Sequence, residues 1–566
     1  MAYFVKKTKR KNDVYLQIYE SHHDPVKKYA VHSSVEVLGY KSDLIAQGIK
    51  DPFAYAQEKV DDLNRELREA RQAKKIQKIG TTPMRNVGYF MLSQIYEQLG
   101  ISKYIDILAS SRSFQFSLDQ LLQSLIYARF IHPCSKKKSV EEVFPLLYQS
   151  VSFSEDQVYD GIEFLGNEYE KVIEILNHQM PAVHRRKTDT VYFDCTNFYF
   201  EIDREDEWRR KGPCKENRHD PIIGMGLLLD SAQIPMGMKI YPGNQSEKPV
   251  LRTVVKELKE RHNITGRTIQ VADKGLNCGD NIIEAVRDGD GYIFSRSPKT
   301  ISEEDLKWVL NPDDYTDVSD VENAPVYKIK SKEMQVDVTY TSTDGTKKTQ
   351  SLKQKWVATM NYSLRRKQLA EIDKLVNNAI NLNASKAKRN EYGDAATFVK
   401  FCTVDRKTGE TSEKVKAYIN QEAVDKAKKV AGFNLIVSSE LELEPQEIYS
   451  VYHNLWRIEE SFRILKSQLA TRPIYLQKEN TIKGHLLVCY MAVTLLRLIQ
   501  FKKLKGTLSA GEIIDFIKNF NVLYAPKECL NLLTNSGVVK TMAKTYKAPI
   551  ENYYLTHAQI ERMMHP

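Results

Sequence analysis

The chain has 566 residues, of which 42% are hydrophobic and 28% charged, and its formal net charge is +10. This balance indicates several folded domains and is compatible with a polyanionic partner. Its seven cysteines form no CxxC pair, which argues against a zinc ribbon or a disulfide framework and for a reducing compartment. The N-terminus has no apolar signal-peptide core, and the most apolar run, 486–496, is shorter than the about 20 residues that span a bilayer. We therefore expect a buried helix there and a cytoplasmic protein without a membrane segment.

Residues 1–80 are predicted to form a β-hairpin module and a charged helix. Apolar and polar residues alternate at 14–18 and 29–31, as in two half-buried strands. A basic run at 6–11 precedes them as an arm that either touches phosphate or is simply solvated.

Residues 81–187 are predicted to be a helical, DNA-binding domain. Segments with apolar residues at helical spacing lie at 89–99, 118–130, 140–147 and 157–176. The basic connector 129–138 suits contact with a DNA backbone, and a surface loop in a helical bundle is an equally open alternative.

Residues 188–296 have the pattern of an α/β core. The predicted strand 190–200 is rich in β-branched and aromatic residues and contains Asp194, a carboxylate that is costly to bury unless it is paired or binds metal. A later strand ends in Asp273, and the carboxyl ends of strands are where open α/β sheets bind ligands. The remaining elements are strands at 222–229 and 234–241, helices from 249 to about 261 and at 278–287, and a strand at 291–295.

A β-rich insertion is predicted for 297–430, before the core resumes. It contains a charged helix, a hairpin turn at Asp344-Gly345, and strands at 326–329, 334–341, 356–360 and 395–404. The second part of the core, 431–505, begins with a strand at 432–438 and includes an apolar helix at 484–501. A helical tail occupies 506–566.

The segment 452–466 is predicted to be one amphipathic helix. Its apolar stripe consists of residues at three- and four-residue steps: Leu455, Ile458, Phe462, Leu465 and Leu469. On a different face, Tyr452, Glu459 and Lys466 fall within about 20° of one line. Ordinary charge pairs on a solvated face are the alternative interpretation. Glu460 lies about 100° from Glu459 and is expected to be solvated.

Asp194, Asp273 and Glu459 are far apart in the sequence, but each is predicted to lie on a rigid element. Three carboxylates from such elements can hold Mg²⁺ together with water and substrate phosphate. Two such ions activate a nucleophile and stabilise the leaving oxygen in phosphodiester displacement. This arrangement of carboxylates and metal ions is that of a ribonuclease-H-like catalytic core.

Across about 190–505 the chain resembles DDE insertion-sequence transposases of the cut-and-paste group with the signature Tyr-x2-Arg-x3-Glu-x6-Lys. The signature is matched by Tyr452, Glu459 and Lys466, and the surrounding pattern by Trp456, Ile458 and Phe462. The Asp194 strand, the turn 242–247, the Asp273 strand and the β-rich insertion are similar as well.

The resemblance implies an α/β fold with a ribonuclease-H-like core, and Asp194, Asp273 and Glu459 as catalytic metal ligands. It implies two Mg²⁺ ions, with Mn²⁺ as a substitute, and a homodimer assembled on DNA ends. The enzyme would bind terminal inverted repeats, cleave them and join 3′-OH ends to target DNA. Tyr452 and Lys466 would hold phosphate near the cut.

The arginine of the signature falls on Leu455 in this chain. Arg457 points about 160° from Glu459, whereas Arg463 lies about 40° away and is the better substitute for DNA contact. Lys215 and Arg218, in a polar loop, are further candidates for DNA contact, against the alternative of a plain surface loop. Two rival functions remain open: a nuclease or resolvase of the same fold that never joins ends, and a derivative that binds DNA without cutting it.

Overall fold

The computed structural model describes residues 2–11, 13–23, 29–76, 83–149, 151–213, 220–261, 266–318, 327–385, 389–404 and 411–565. The chain divides into two compact units. The smaller comprises Met1–Gly88, Leu146–Tyr148 and Asn519–Met564, and the larger comprises Tyr89–Pro145, Gln149–Lys518 and His565–Pro566.

The strands of the described residues are β1 (Ala2–Arg10), β2 (Asp13–His23), β3 (Ala30–Tyr40), β4 (Met84–Asn86), β5 (Thr190–Tyr199), β6 (Ile222–Leu229), β7 (Pro235–Pro242), β8 (Ile269–Ala272), β9 (Gly291–Arg296), β10 (Thr316–Val318), β11 (Tyr327–Thr341), β12 (Lys347–Asn361), β13 (Val399–Val404), β14 (Thr411–Ile419), β15 (Phe433–Ser438), β16 (Asn521–Leu523), β17 (Glu528–Asn531) and β18 (Tyr554–Thr556).

The α-helices of the same residues are α1 (Lys41–Ala46), α2 (Pro52–Ile76), α3 (Phe90–Leu99), α4 (Ser102–Ala109), α5 (Leu118–Ile131), α6 (Lys136–Lys138), α7 (Glu155–Asn167), α8 (Tyr169–Gln179), α9 (Glu247–Arg261), α10 (Gly279–Arg287), α11 (Glu303–Leu310), α12 (Tyr362–Ala384), α13 (Gln421–Lys429), α14 (Pro445–His453), α15 (Trp456–Arg463), α16 (Glu479–Leu498), α17 (Ala510–Asn519), α18 (Gly537–Tyr546) and α19 (His557–Met564).

The smaller unit contains two antiparallel sheets, ordered β1-β2-β3 and β18-β17-β16-β4. Leu16 of β2 is fully buried and packs with Leu44 and Ala56 of the following helices. The predicted hairpin is therefore part of a three-stranded sheet. The basic run at 6–11 is not a separate arm, because all but its last residue belong to β1 and pair with β2.

The larger unit is built on a nine-stranded sheet with the order β10-β11-β12-β15-β9-β8-β5-β6-β7. β5, β8 and β9 are parallel to one another, and the remaining neighbours are antiparallel. The meander β5-β6-β7 followed by two parallel strands, with α9 and α10 as connections, is the ribonuclease-H-like arrangement that the sequence predicted.

The predicted insertion lengthens this sheet with β10, β11 and β12, and it also forms the separate two-stranded sheet β13-β14. β12 pairs with β15, and β11 and β10 follow outwards, so that insertion strands and core strands share one hydrogen-bonded surface. The Asp344-Gly345 turn is confirmed, since Gly345 has a φ of +80° between β11 and β12. The strand predicted at 395–404 starts only at Val399, because Arg389–Phe398 forms a 3₁₀ turn.

Helix α16 is the central helix of the larger unit. Its apolar stretch, Glu479–Lys503, is long enough by length and composition to cross a membrane, but 94% of the apolar window is buried inside the protein. The predicted buried helix is thus confirmed, although it is longer than expected. α16 packs against α3, α5, α7 and α8. It approaches α7 closely, because a Cβ at Gly484 would lie 2.0 Å from the carbonyl oxygen of Ile162.

The predicted single helix at 452–466 is two helices. α14 ends at His453, and α15 begins at Trp456 after a tight turn in which the amide of Leu455 donates to the carbonyl of Tyr452, three residues back. Asparagine is a weak helix former, and Asn454 stands at this turn. After Arg463 the chain widens into a π-helical turn up to Gln468. The straight line drawn through Tyr452, Glu459 and Lys466 on a regular helix was therefore wrong, although the apolar stripe is confirmed as buried.

Candidate active site

Three polar side chains lie in one row across the three parallel strands. Phe193 of β5 pairs with Ala272 of β8, which pairs with Phe294 of β9. Those three residues belong to the core beneath α9 and α10. Side chains alternate along strands, so the next residues of the three strands, Asp194, Asp273 and Ser295, all point to the opposite face.

Asp273 is the best-anchored member of this row. Its Oδ1 accepts a hydrogen bond from the Ser295 hydroxyl at 2.9 Å and one from the Tyr452 hydroxyl at 3.2 Å. Asp194 is half-buried, and its Oδ1 accepts the backbone N–H of Cys195 at 2.7 Å. Neighbouring strands are about 4.8 Å apart, so the two aspartates stand side by side.

Helices α14 and α15 cover this face of the sheet. α15 packs on β5, and α14 packs on β8 and β9. Burial, followed by the charges of Asp273 and Glu459, raises the pKa of Tyr452 well above its usual value. The Tyr452 hydroxyl therefore lies in the field of both carboxylates. Glu459 itself is exposed.

The cationic candidates are placed differently from one another. The Lys466 ammonium lies 5.8 Å from the ring of Phe198, which is on the same face of β5 as Asp194. The Arg463 side chain is 70% exposed, and its Nη2 is 3.9 Å from Glu460 Oε1. Lys215 and Arg218 lie outside the described residues.

Glu460 was expected to be solvated, and this is wrong. Only 10% of its side chain is exposed, because three arginines surround it. Arg497 Nη1 of α16 lies 3.0 Å from its Oε2, Arg457 Nη1 lies 3.6 Å from the same oxygen, and Arg463 approaches Oε1. Arg457 also stacks on Trp456, with its guanidinium carbon 3.9 Å from the ring centre.

The oxygen donors fit a hard divalent cation. Mg²⁺ takes carboxylate oxygens at about 2.0–2.1 Å, and two adjacent aspartates in register can share such an ion. In the described part of the chain, no group of three or more His, Cys, Asp or Glu side chains lies close enough together to hold one. The structure thus aligns Asp194 with Asp273 and brings Glu459 into the electrostatic neighbourhood of Tyr452, but it does not show a closed three-acid cluster.

The sequence did not lead us to two residues of this region, Ser295 and Arg497. Ser295 is a polar residue near the end of the apolar strand β9, and this position was the available signal. Arg497 lies in an apolar run of α16 and is fully buried. A charge in such a run needs an internal partner, and this was the signal for the contact with Glu460.

Comparison with known families identifies the class of protein. Residues 185–495 match the family model of the transposase DDE domain, and the nine-stranded sheet and the aspartate row lie within this range. The chain therefore belongs to the DDE transposases, a family of metal-dependent enzymes that cut DNA. No curated protein matches the chain.

Proposed function

We propose that this transposase binds the terminal inverted repeats of an insertion sequence, cleaves its ends by two-metal hydrolysis and joins the 3′-OH ends to target DNA. It acts in the cytoplasm, as a homodimer assembled on the DNA ends. The observation that supports the chemistry is the row of Asp194 and Asp273 beneath Tyr452, with Glu459 on the covering helix.

Each side chain of the row has a role in this proposal. Asp194, Asp273 and Glu459 would hold two Mg²⁺ ions, or Mn²⁺ in their place. When bound, such ions activate water and stabilise the leaving oxygen. Tyr452 and Ser295 fix Asp273 by donating to one of its oxygens, which orients the other oxygen for ligation. Lys466 and Arg463 bind backbone phosphate beside the cut, and we assign Lys215 and Arg218 to the same DNA contact. Tyr452, for which the resemblance also implied a phosphate contact, donates to Asp273 instead.

The test is Asp273→Asn, assayed with DNA that carries the ends of the element. We expect inverted-repeat binding to remain, because phosphate contacts are untouched, while Mg²⁺-dependent cleavage falls by at least about a thousandfold. Asp288→Asn is the matched control. Asp288 is an exposed acid at the end of α10, a helix that packs on the other face of the sheet. The Asp288→Asn variant should therefore cleave like the parent.

Undiminished cleavage by Asp273→Asn would exclude its role. Joining distinguishes the rival functions, since a nuclease of this fold would release cut ends without strand-transfer products. A parent protein that binds the repeats but never cuts them would be the non-cutting derivative.

A further inference from the structure

A second polar site lies in the larger unit, where the basic connector 129–138 meets the segment that follows α15. It is a pocket of about 240 Å³. Its polar lining includes three cationic side chains, Arg129, Lys136 and Arg472, and the imidazole of His485. The remaining lining is mostly apolar or aromatic, and it contains no carboxylate among the described residues.

Two of these cations are buried, and neither meets a counter-charge among the described residues. Arg129 is 2% exposed and Lys136 is 5% exposed. Within the part of the chain that the structure describes, neither has a carboxylate within ion-pair distance, and the Nε of Arg129 finds no acceptor. Burial, followed by the charge of Arg129, lowers the pKa of Lys136 to about 7. Burying unpaired charge is costly, so this arrangement favours an anion.

The groups are held in fixed positions. Nε2 of His485 lies 3.1 Å from the carbonyl oxygen of Thr471, and a carbonyl only accepts, so the proton is on Nε2. Nδ1 then accepts from the Lys136 ammonium at 3.2 Å. Nη2 of Arg129 donates to the carbonyl of Cys134. His485 follows Gly484, where α16 and α7 approach each other closely, so a rigid helix crossing supports the pocket.

We propose that this pocket binds a phosphate group. A guanidinium and an ammonium that converge on a partly enclosed space are the usual protein ligands of phosphate. The phosphate is either one of the DNA backbone or a free phosphate ion. The first source rests on the function proposed above.

The position of the pocket agrees with a DNA source. Arg472, in its lining, lies 5.7 Å from the ring of Tyr199, the last residue of β5. Tyr199 is five residues beyond Asp194, or about 16 Å at about 3.3 Å per residue. One DNA strand carries a charge every 3.4 Å or so along the helix axis. A DNA strand cut beside Asp194 would therefore reach the end of β5, where Arg472 lies, within a few nucleotides.

The first measurement is thermal unfolding of the full chain in inorganic phosphate, compared with chloride at equal ionic strength. Ligands that bind only the folded state raise the midpoint, and we expect a rise of about 2 °C for the parent. Lys136→Met keeps the length of the side chain but removes the cation, and should abolish the rise. Lys136→Met removes an unpaired buried charge, which offsets the loss of the hydrogen bond to His485, so the midpoint in chloride should change little. Lys137→Met is the matched control, since Lys137 is the exposed neighbour on the same helix.

The second measurement is the salt dependence of binding to the element's end. One lost phosphate contact lowers the slope of log K against log salt by about 0.9. A lower slope for Lys136→Met, with the parent slope for Lys137→Met, assigns the pocket to a backbone phosphate. A lost phosphate response with an unchanged slope assigns it to free phosphate.

Equal responses to phosphate and equal slopes for Lys136→Met and the parent would overturn the proposal. Arg129→Met should behave like Lys136→Met, and it serves as the second variant. The phosphate measurement does not depend on cleavage, so failure of the pocket and failure of the proposed reaction give different results.

Discussion

Glu459 and Glu460 are neighbours on α15, yet they belong to two different regions of the molecule. Glu459 is exposed on the side where α14 and α15 cover the aspartate row. Glu460 is turned towards α16 and sits among Arg457, Arg463 and the buried Arg497. Adjacent carboxylates on one short helix thus have opposite electrostatic surroundings.

The two faces of α15 therefore have different roles: one holds the helix in place, and the other carries a proposed metal ligand. The Glu460 side anchors α15, because Arg497 also reaches the Ser461 hydroxyl at 3.0 Å and the carbonyl of Arg457 at 3.2 Å. The Glu459 side leaves its carboxylate exposed and within electrostatic reach of Tyr452. A network that fixes one face of a helix positions the residue on the other face.

Glu459→Gln should give the largest effect on activity. Losing one carboxylate of the proposed metal site should reduce Mg²⁺-dependent cleavage by about a thousandfold, with unfolding and DNA binding unchanged. Cleavage and urea unfolding measured on the same preparation check this. Cleavage near the parent rate would show that the acid of the signature is not a ligand.

Glu460→Gln should have the reverse profile. It leaves Arg497 fully buried without its nearest opposite charge, which should lower the free energy of unfolding by about 3 kcal/mol. Urea unfolding followed by tryptophan fluorescence measures the change. If Glu460→Gln were as stable as the parent and inactive, the roles of the two glutamates would have to be exchanged.

Tyr452→Phe tests the link between the covering helix and the row. It removes one hydrogen bond to the charged Asp273, worth about 1.5–3 kcal/mol. We expect cleavage to fall roughly tenfold to a hundredfold with inverted-repeat affinity nearly unchanged. Because Ser295 still donates to Asp273 in this variant, the double variant Ser295→Ala with Tyr452→Phe should cleave more slowly than either single variant. A double variant no worse than Tyr452→Phe would count against Ser295.

The smallest effect is expected from the arginines of α15. Arg463 is 70% exposed, and its ion pair at 3.9 Å is weak enough to be released for DNA. Arg463→Ala should lower the salt slope of binding by about one unit. Arg457→Ala should leave the slope unchanged, because Arg457 packs on Trp456 and Phe501. A reduced slope for Arg457→Ala alone would mean that the DNA approaches the other face.

The order of the core elements was predictable because apolar runs and turn residues mark each strand. The pairing of β12 with β15 was not, since hydrogen bonds between strands some 75 residues apart leave no local signal. The division of the helix at Asn454 was also missed. The apolar stripe continues through the turn. The spacing of apolar residues does not show whether the backbone hydrogen bonds connect residues three or four positions apart.

For the site, the sequence predicted Asp194 within one core strand and Asp273 at the end of another, because apolar runs mark both strands. It predicted the wrong surroundings for Glu460. A helical wheel shows direction on one helix only, whereas Arg497 comes from another helix 37 positions further along the chain. The DNA contact of Lys215 and Arg218 stays a prediction, since these residues lie outside the described part.

The place of β15 in the sheet has a consequence for anyone who grafts or trims this enzyme. β15 hydrogen-bonds on one side to β9 and on the other to β12. Excising 297–430 would remove β12 and leave a row of bare amides and carbonyls along β15, an edge that invites aggregation. The Asp344-Gly345 turn, at the far tip of the β11–β12 hairpin, offers a safer splice point, because a tag inserted there interrupts no strand pairing.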